Sequence, residues 1–294
     1  MTFYIGLILT TLCQACGHDA NPPKTSTQDI LSVDNPGQEK KHEVINSNGQ
    51  TLQTRILPPA GFQRTKSHDN SFTEYLRQLP LKPHNSEVKL YNGSTKPNYD
   101  VYTAVVDLEI GNKDLHQCAD AVMRLRAEYL WRQKRYDKIH FNFTNGFRVD
   151  YAEWMKGKRI EVQGNSTYWT QAGYPSNTYN DFWKYMEIIF SYAGTRSLSK
   201  ELKPVDINDL QIGDIFIQGG TPGHAIIVVD MAVDTTTEKK IFLLAQSYMP
   251  AQETQILTNP NDKRISPWYS TGFGQELVTP EWTFGKIDLK RFEE

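Results

Sequence analysis

Residues 213–229 read GDIFIQGGTPGHAIIVV, and residues 241–247 read IFLLAQS. Asp214-Ile215-Phe216-Ile217 has the composition of a strand, and Gly219-Gly220 with Pro222-Gly223 marks a turn. His224 to Val229 is an apolar run of strand length with turn residues before it, which reads as a buried strand. Ile241 to Ala245 is its partner across the charged segment Asp234 to Lys240. If the two runs form an antiparallel hairpin, residue 246 or 247 comes near residue 226. A one-residue slip reverses the face, so either Gln246 or Ser247 faces His224, but not both.

Outward from this β-rich end, helix and strand signals are mixed. Ser71 to Gln78 reads as a short helix. Val88-Lys89-Leu90-Tyr91 reads as a strand entering a turn at Asn92-Gly93. Val101 to Ile110 (VYTAVVDLEI) is strand-like until Gly111-Asn112-Lys113-Asp114 breaks it. A strong helix follows, with Asp114 as its N-cap. Leu115, Cys118, Ala119, Val122, Leu125 and Tyr129 form one stripe at helical spacing. Arg124 and Glu128 are spaced as an i,i+4 ion pair. Ile139 to Phe143 reads as a strand before a turn at Asn145-Gly146. Residues 164–179 (GNSTYWTQAGYPSNTY) read as a polar and aromatic loop, a solvated insertion or a substrate wall on which Trp169 could stack. Phe182 to Tyr192 reads as a helix. Helices first and strands later predict an α+β fold.

The 294 residues carry 32 Lys+Arg against 34 Asp+Glu, a net charge of −2. That balance argues against a nucleic-acid partner. An aromatic share of 12% excludes a fully disordered chain. No stretch reaches the roughly 18 apolar residues of a membrane span. No CxxC or HExxH spacing and no phosphate-cradling glycine loop is present, so neither a metal nor a cofactor is expected.

Three cysteines are too few for a disulfide scaffold, and two of them lie at the start of the chain. Phe3 to Leu12 is an apolar run of signal-peptide length, followed by Cys13-Gln14-Ala15-Cys16-Gly17. A small residue, then cysteine, then glycine resembles the lipobox of bacterial lipoproteins. The resemblance implies a signal peptide over 1–15, lipid attachment at Cys16 and membrane lipid as a partner. An ordinary cleaved signal peptide or a start codon placed too late are the alternatives. Residues 16–54, rich in Asn, Pro, Ser, Thr, Gln and Lys, read as a flexible tether, and 55–294 as a single domain. The expected location is the cell envelope, anchored to the outer or inner membrane and facing the periplasm or the surface.

Processing at Cys16 leaves one thiol, Cys118. A lone thiol in an exported protein is a flag for reactivity. In the first turn of a helix, unpaired N–H groups and the helix dipole favour a thiolate, so a lowered pKa is expected. A nucleophilic thiol needs a base. Of the seven histidines, His224 stands at the start of a buried strand just after a glycine turn, where its ring can reach a cleft. Gln246 is the candidate orienter of that ring, at a cleft edge where truncation should leave folding intact. Asp230 lies at the far end of the His224 strand and ranks lower. The bland alternatives are a core cysteine, a core histidine bonded to a carbonyl, and a glutamine that only satisfies backbone groups.

The order Gln117-Cys118-Ala119-Asp120, Gly213-Asp214-Ile215-Phe216, Gly223-His224-Ala225-Ile226 and Ala245-Gln246-Ser247 resembles the papain-like cell-wall cysteine hydrolases. Asp120 stands where those enzymes often carry glycine, and the span from Cys118 to His224 is longer. The resemblance implies a papain-like fold, with a nucleophile-bearing helix packed on an antiparallel sheet or partial barrel. It also implies a cysteine amidase or peptidase with a peptidoglycan or peptide substrate, using Cys118, His224 and Gln246. A transglutaminase-like variant would use Asp230 as third member. The strings from Gln117 to Leu130, Pro222-Gly223-His224-Ala225 and Ala245 to Gln252 are similar to an uncharacterised family of Bacteroidetes envelope proteins, domain-of-unknown-function family 4846. That likeness covers about Arg55 to Phe292 and supplies a lineage and a location. Two function classes follow: a cell-envelope thiol hydrolase, or a non-catalytic lipoprotein that uses the papain-like fold as a binding module.

Overall fold

The apolar run after Gly223 does form a buried strand, and it is the spine of the molecule. The computed structural model describes residues 43–293. In chain order the helices are α1 (Leu52–Arg55), α2 (Phe72–Arg77), α3 (Cys118–Arg132), α4 (Tyr151–Met155), α5 (Tyr179–Tyr192) and α6 (Thr195–Glu201). The strands before the spine are β1 (Phe62–Arg64), β2 (Tyr102–Val105), β3 (His140–Asn142), β4 (Arg148–Asp150), β5 (Lys158–Gln163), β6 (Ser166–Gln171), β7 (Lys203–Pro204) and β8 (Ile215–Gln218). The spine is β9 (His224–Asp234). It is followed by β10 (Lys240–Gln246), β11 (Gln255–Leu257), β12 (Tyr269–Ser270), β13 (Glu276–Val278), β14 (Thr283–Gly285) and β15 (Leu289–Arg291).

Among the described residues, nine strands form one sheet in the order β2-β11-β10-β9-β8-β15-β7, with β1 also on β9 and β12 also on β10. Its pairings are antiparallel. The fold is α+β. Alternation along β9 sends Ala225, Ile227 and Val229 into the larger core and Ile226 and Val228 into a second core. Two covered faces explain why the strand reads as an unbroken apolar run rather than an alternating one. Helix α3 packs on β9 from the side of the larger core. It is covered almost all round, from Cys118 to Leu125 without a break, rather than along the single stripe its spacing suggested. A helix so enclosed has little freedom to shift, which fixes the position of its first residue.

The register of the central hairpin decides the site. From Lys240↔Val233 to Leu243↔Asp230 the strands run in step, and then a β-bulge shifts the pairing to Leu244↔Val228 and Ala245↔Ile227. Continued one step, that register sets Gln246 opposite Ile226. Gln246 therefore shares a face with His224. Without the extra residue at the bulge, Gln246 would pair with Ile227 and share a face with Ala225 instead of His224.

Several sequence expectations are corrected. The folded unit starts earlier than residue 55. Leu52 and Ile56 are fully buried, and Ile45 bridges Ile56. The polar residues that mimic a tether are spent locally: Thr51 caps α1, and the Asn46 amide donates to the Thr54 carbonyl. Residues 164–179 are not one loop, because β5 and β6 form a hairpin through Ser166–Gln171 around a turn with Gly164 at φ +60°. Tyr168, Trp169 and Thr170 are strand formers, and Trp169 is half-buried against Phe147. The strand from Val101 stops at Val105, and the 88–91 segment makes only single bridges. The expected signal peptide, the expected lipid site Cys16 and the expected tether up to residue 42 lie outside the described residues.

Candidate functional site

Cys118 is the first residue of α3, and the cap is Gln117 rather than Asp114. The Gln117 N–H donates to Asp120 Oδ2 at 2.9 Å, which closes the helix start. Asp114 acts one step earlier. Its Oδ1 accepts from the Gln117 side-chain amide at 3.1 Å and from the Ala251 N–H at 2.6 Å. The Ser247 hydroxyl lies 2.9 Å from the His116 carbonyl and 2.7 Å from the Gln252 carbonyl. Thus the segment after β10 is laced to the segment before α3, and the Cys118 end of the helix is tied to the Gln246 end of the sheet.

His224 opens β9 behind a turn that only glycine fits. A Cβ on Gly223 would meet Thr195 Oγ1 at 2.5 Å, Gln218 O at 2.7 Å and Gly220 N at 2.7 Å. The imidazole packs against Tyr248, Trp282 and Phe284, with ring centroids 4.9, 5.3 and 5.9 Å away. Its Nε2 lies 2.8 Å from Gln246 Oε1. Ser247, the other register candidate, is turned to the backbone carbonyls above.

Two residues that sequence reading missed set the direction of this bond. The Gln246 amide donates through Nε2 to Glu281 Oε2 at 2.6 Å, and Lys96 Nζ donates to the same oxygen at 2.7 Å. Lys96 also donates to Gln252 Oε1 at 3.0 Å. An ionised carboxylate can only accept, so the Gln246 NH2 must face Glu281 and its oxygen must face His224. His224 then carries its proton on Nε2, and Nδ1 keeps a free lone pair. Glu281 sits in the β13–β14 turn and Lys96 in the loop after Thr95, so no local motif could have revealed either. Gln246 is 1% exposed. It is an interior link in a relay, which corrects its expected place at a cleft edge.

The electrostatics also depart from expectation. Burial pushes the Cys118 thiol up to about 11. The N–H of Ala225, the residue after His224, pulls the other way, while the carboxyl of Asp120 pushes with burial. The helix-start N–H groups of Ala119 and Cys118 itself are too weak to win, so the lowered thiol pKa expected from the dipole is not found. Burial also pushes His224 down to about 4, against the pull of its bond to Gln246 and with the help of the Lys96 charge. Asp120 is raised to about 8 by burial, despite the N–H of Gln117. Near pH 7 the thiol, the imidazole and the Asp120 carboxyl are all uncharged. Tyr248 is within reach of both Cys118 and His224. Its ring meets His224 edge-on, and its hydroxyl is raised by burial and then by the Glu281 carboxylate.

A cleft of about 560 Å³ opens at the helix start, with Gln117, Cys118, Asp120, Thr195, Gly223 and Met249 among its walls. His224 and Gln246 stand behind the Gly223 turn and are not wall residues. The alternative third member, Asp230, is committed elsewhere. Its oxygens accept from Arg64 Nε and Arg77 Nε, each at 2.6 Å, and from the Met231 N–H at 2.8 Å. Arg124 and Glu128 do pair, at 3.6 Å, but inside the protein. Among the described residues no group of His, Cys, Asp and Glu could hold a metal ion.

A family model described as a domain of unknown function (4846) matches residues 52–291. The chain belongs to that family. No curated protein and no solved structure matches it. The family 4846 match begins at Leu52, the first residue of α1, and runs to Arg291, the last of β15. It therefore takes in every member of the relay and the cysteine.

Proposed function

We propose that this protein is an exported, lipid-anchored cell-envelope thiol hydrolase, an amidase or peptidase of papain-like design acting on cell-wall peptides. The observation that carries the reading is the relay Lys96–Glu281–Gln246–His224. It fixes one tautomer and leaves Nδ1 as an acceptor, while the adjacent Ala225 backbone touches the Cys118 sulfur. A neutral imidazole with a free lone pair is a general base. As the sulfur attacks a substrate carbonyl, the thiol proton passes to Nδ1. The imidazolium then returns it to the leaving amine, and water releases the acyl group from sulfur. Gln246 holds the ring in place throughout, a role an amide oxygen can fill without changing charge. The membrane side of the proposal rests on Ala15-Cys16-Gly17 after an apolar run. Cys16→Ser should release the protein into the soluble fraction, and unchanged membrane association would sink the anchor.

Two observations favour the second reading, a non-catalytic binding module. The thiol is only 6% exposed and the base is not a cleft wall. Incubation of the purified protein with peptidoglycan-derived peptides separates the two. The hydrolase reading expects new amino termini that disappear with Cys118→Ala. The binding reading expects the peptides to be retained intact by wild type and Cys118→Ala alike.

A further inference from the structure

Asp120 breaks the pattern of its surroundings. It is 6% exposed, lines the cleft two residues after Cys118, and spends only Oδ2, on the Gln117 N–H. Its Oδ1 is buried with no hydrogen-bond partner. A buried polar atom left unpaired beside a cleft calls for a partner from outside. Resting on the nucleophile reading above, we infer that Asp120 binds the substrate carbonyl oxygen: its Oδ1–H donates to the oxyanion that forms when the Cys118 sulfur attacks.

The placement of the proton follows from the hydrogen bonds. Oδ2 is an acceptor toward an N–H, so a protonated Asp120 carries its hydrogen on Oδ1. Burial holds the carboxyl in that protonated form through neutral pH. The other titratable groups on the cleft are Cys118 on the same turn, Asp114 before the helix and the exposed Arg196 of α6. A neutral carboxylic acid in an apolar site is an effective oxyanion donor, as in other enzymes that keep one uncharged for this purpose. The first residues of α3 add backbone N–H groups that the helix leaves free.

The test compares two reactions of the same thiol in the full protein. With p-nitrophenyl acetate, the sulfur adds to the carbonyl carbon, the thiol proton goes to His224 Nδ1, and the carbonyl electron pair moves to oxygen. Collapse of that oxyanion breaks the C–O bond, releases nitrophenolate and leaves a thioester. With iodoacetamide, sulfur displaces iodide and no oxyanion forms. At pH 7, Asp120→Ala should slow acylation by about 10²-fold, the usual cost of losing one oxyanion donor. It should leave alkylation within a few-fold. Asp120→Asn, which can still donate, should restore most of the acylation rate. Equal losses in both reactions, or no rescue by Asn, would overturn the oxyanion role while leaving the nucleophile in place. A wild-type Cys118 inert to both reagents would overturn the nucleophile reading and this inference with it.

Discussion

Two positions on β9, its first residue and one past its middle, hold buried polar groups of opposite character. At the inner position Asp230 is fully enclosed and saturated by two guanidinium groups and a backbone N–H. At the other, His224 keeps a free nitrogen behind a cleft whose wall includes the unpartnered oxygen of Asp120. The same strand thus carries a closed ion cluster and an open, uncharged one. A saturated cluster has nothing left to offer a ligand and serves the fold. An unsaturated one costs stability unless a ligand completes it. The difference separates a structural site from a candidate reactive one more clearly than residue type does, since Asp230 and His224 are buried to the same degree.

The largest stability effect should fall at the closed cluster. Asp230→Ala strands Arg77, which is 3% exposed, and should destabilise the protein by roughly 3–5 kcal/mol in urea unfolding. Cys118→Ala, which removes one small group at a cleft wall, should cost well under half of that. If the two substitutions cost the same, the distinction between the two positions fails.

Gln246→Ala comes next. It leaves His224 and Glu281 each short of a partner, and should cost about 1–3 kcal/mol. Gly223→Ala should lower thiol reactivity with a comparable loss of stability, because its Cβ meets backbone atoms at 2.7 Å and forces the turn that seats His224. A Gly223→Ala protein with wild-type reactivity would mean that the turn does not position the base.

A further effect is one of pH. Asp120 has a folded pKa of about 8, raised above its usual 3.8. Folding therefore favours the protonated form, and the stability this group contributes is lost as pH rises from about 4 through 8. His224 works the other way. Its folded pKa of about 4 lies below 6.5, so stability is lost as pH falls from 6.5 toward 4. Asp120→Asn should thus flatten the alkaline side of a Tm–pH profile and leave the acid side unchanged. A variant profile parallel to wild type across pH 5–8 would contradict the buried neutral carboxyl.

Much of the open cluster was legible in the sequence because strands announce themselves by period. Glycine, histidine and a run of Ile and Val gave the spine, and the hairpin placed residue 246 within a step of His224. The choice between Gln246 and Ser247 was not legible, since it turns on one extra residue at a bulge inside an otherwise uniform apolar run. Glu281 and Lys96 were invisible for a different reason. They reach Gln246 from separate loops, and long-range polar pairs leave no periodic trace. The helix start misled in a third way. Dipole and N–H groups near Cys118 are local and readable, but the burial that outweighs them comes from the tertiary packing of α3 on β9. Residues 43–54 misled because capping and turn residues have the composition of a linker.

The central claim is that His224 serves Cys118 as a base in an uncharged resting pair. The most direct test is the rate of Cys118 alkylation by iodoacetamide from pH 5 to 10, in wild type and in His224→Ala. General-base assistance gives wild type a plateau from above the His224 pKa to well past neutrality, because the lone pair is available throughout. In His224→Ala the rate at pH 7 should fall by at least about 10²-fold and climb steadily with pH toward the thiol's own pKa near 11. Superimposable profiles for the two proteins would contradict the account and leave Cys118 a buried thiol against the Ala225 backbone.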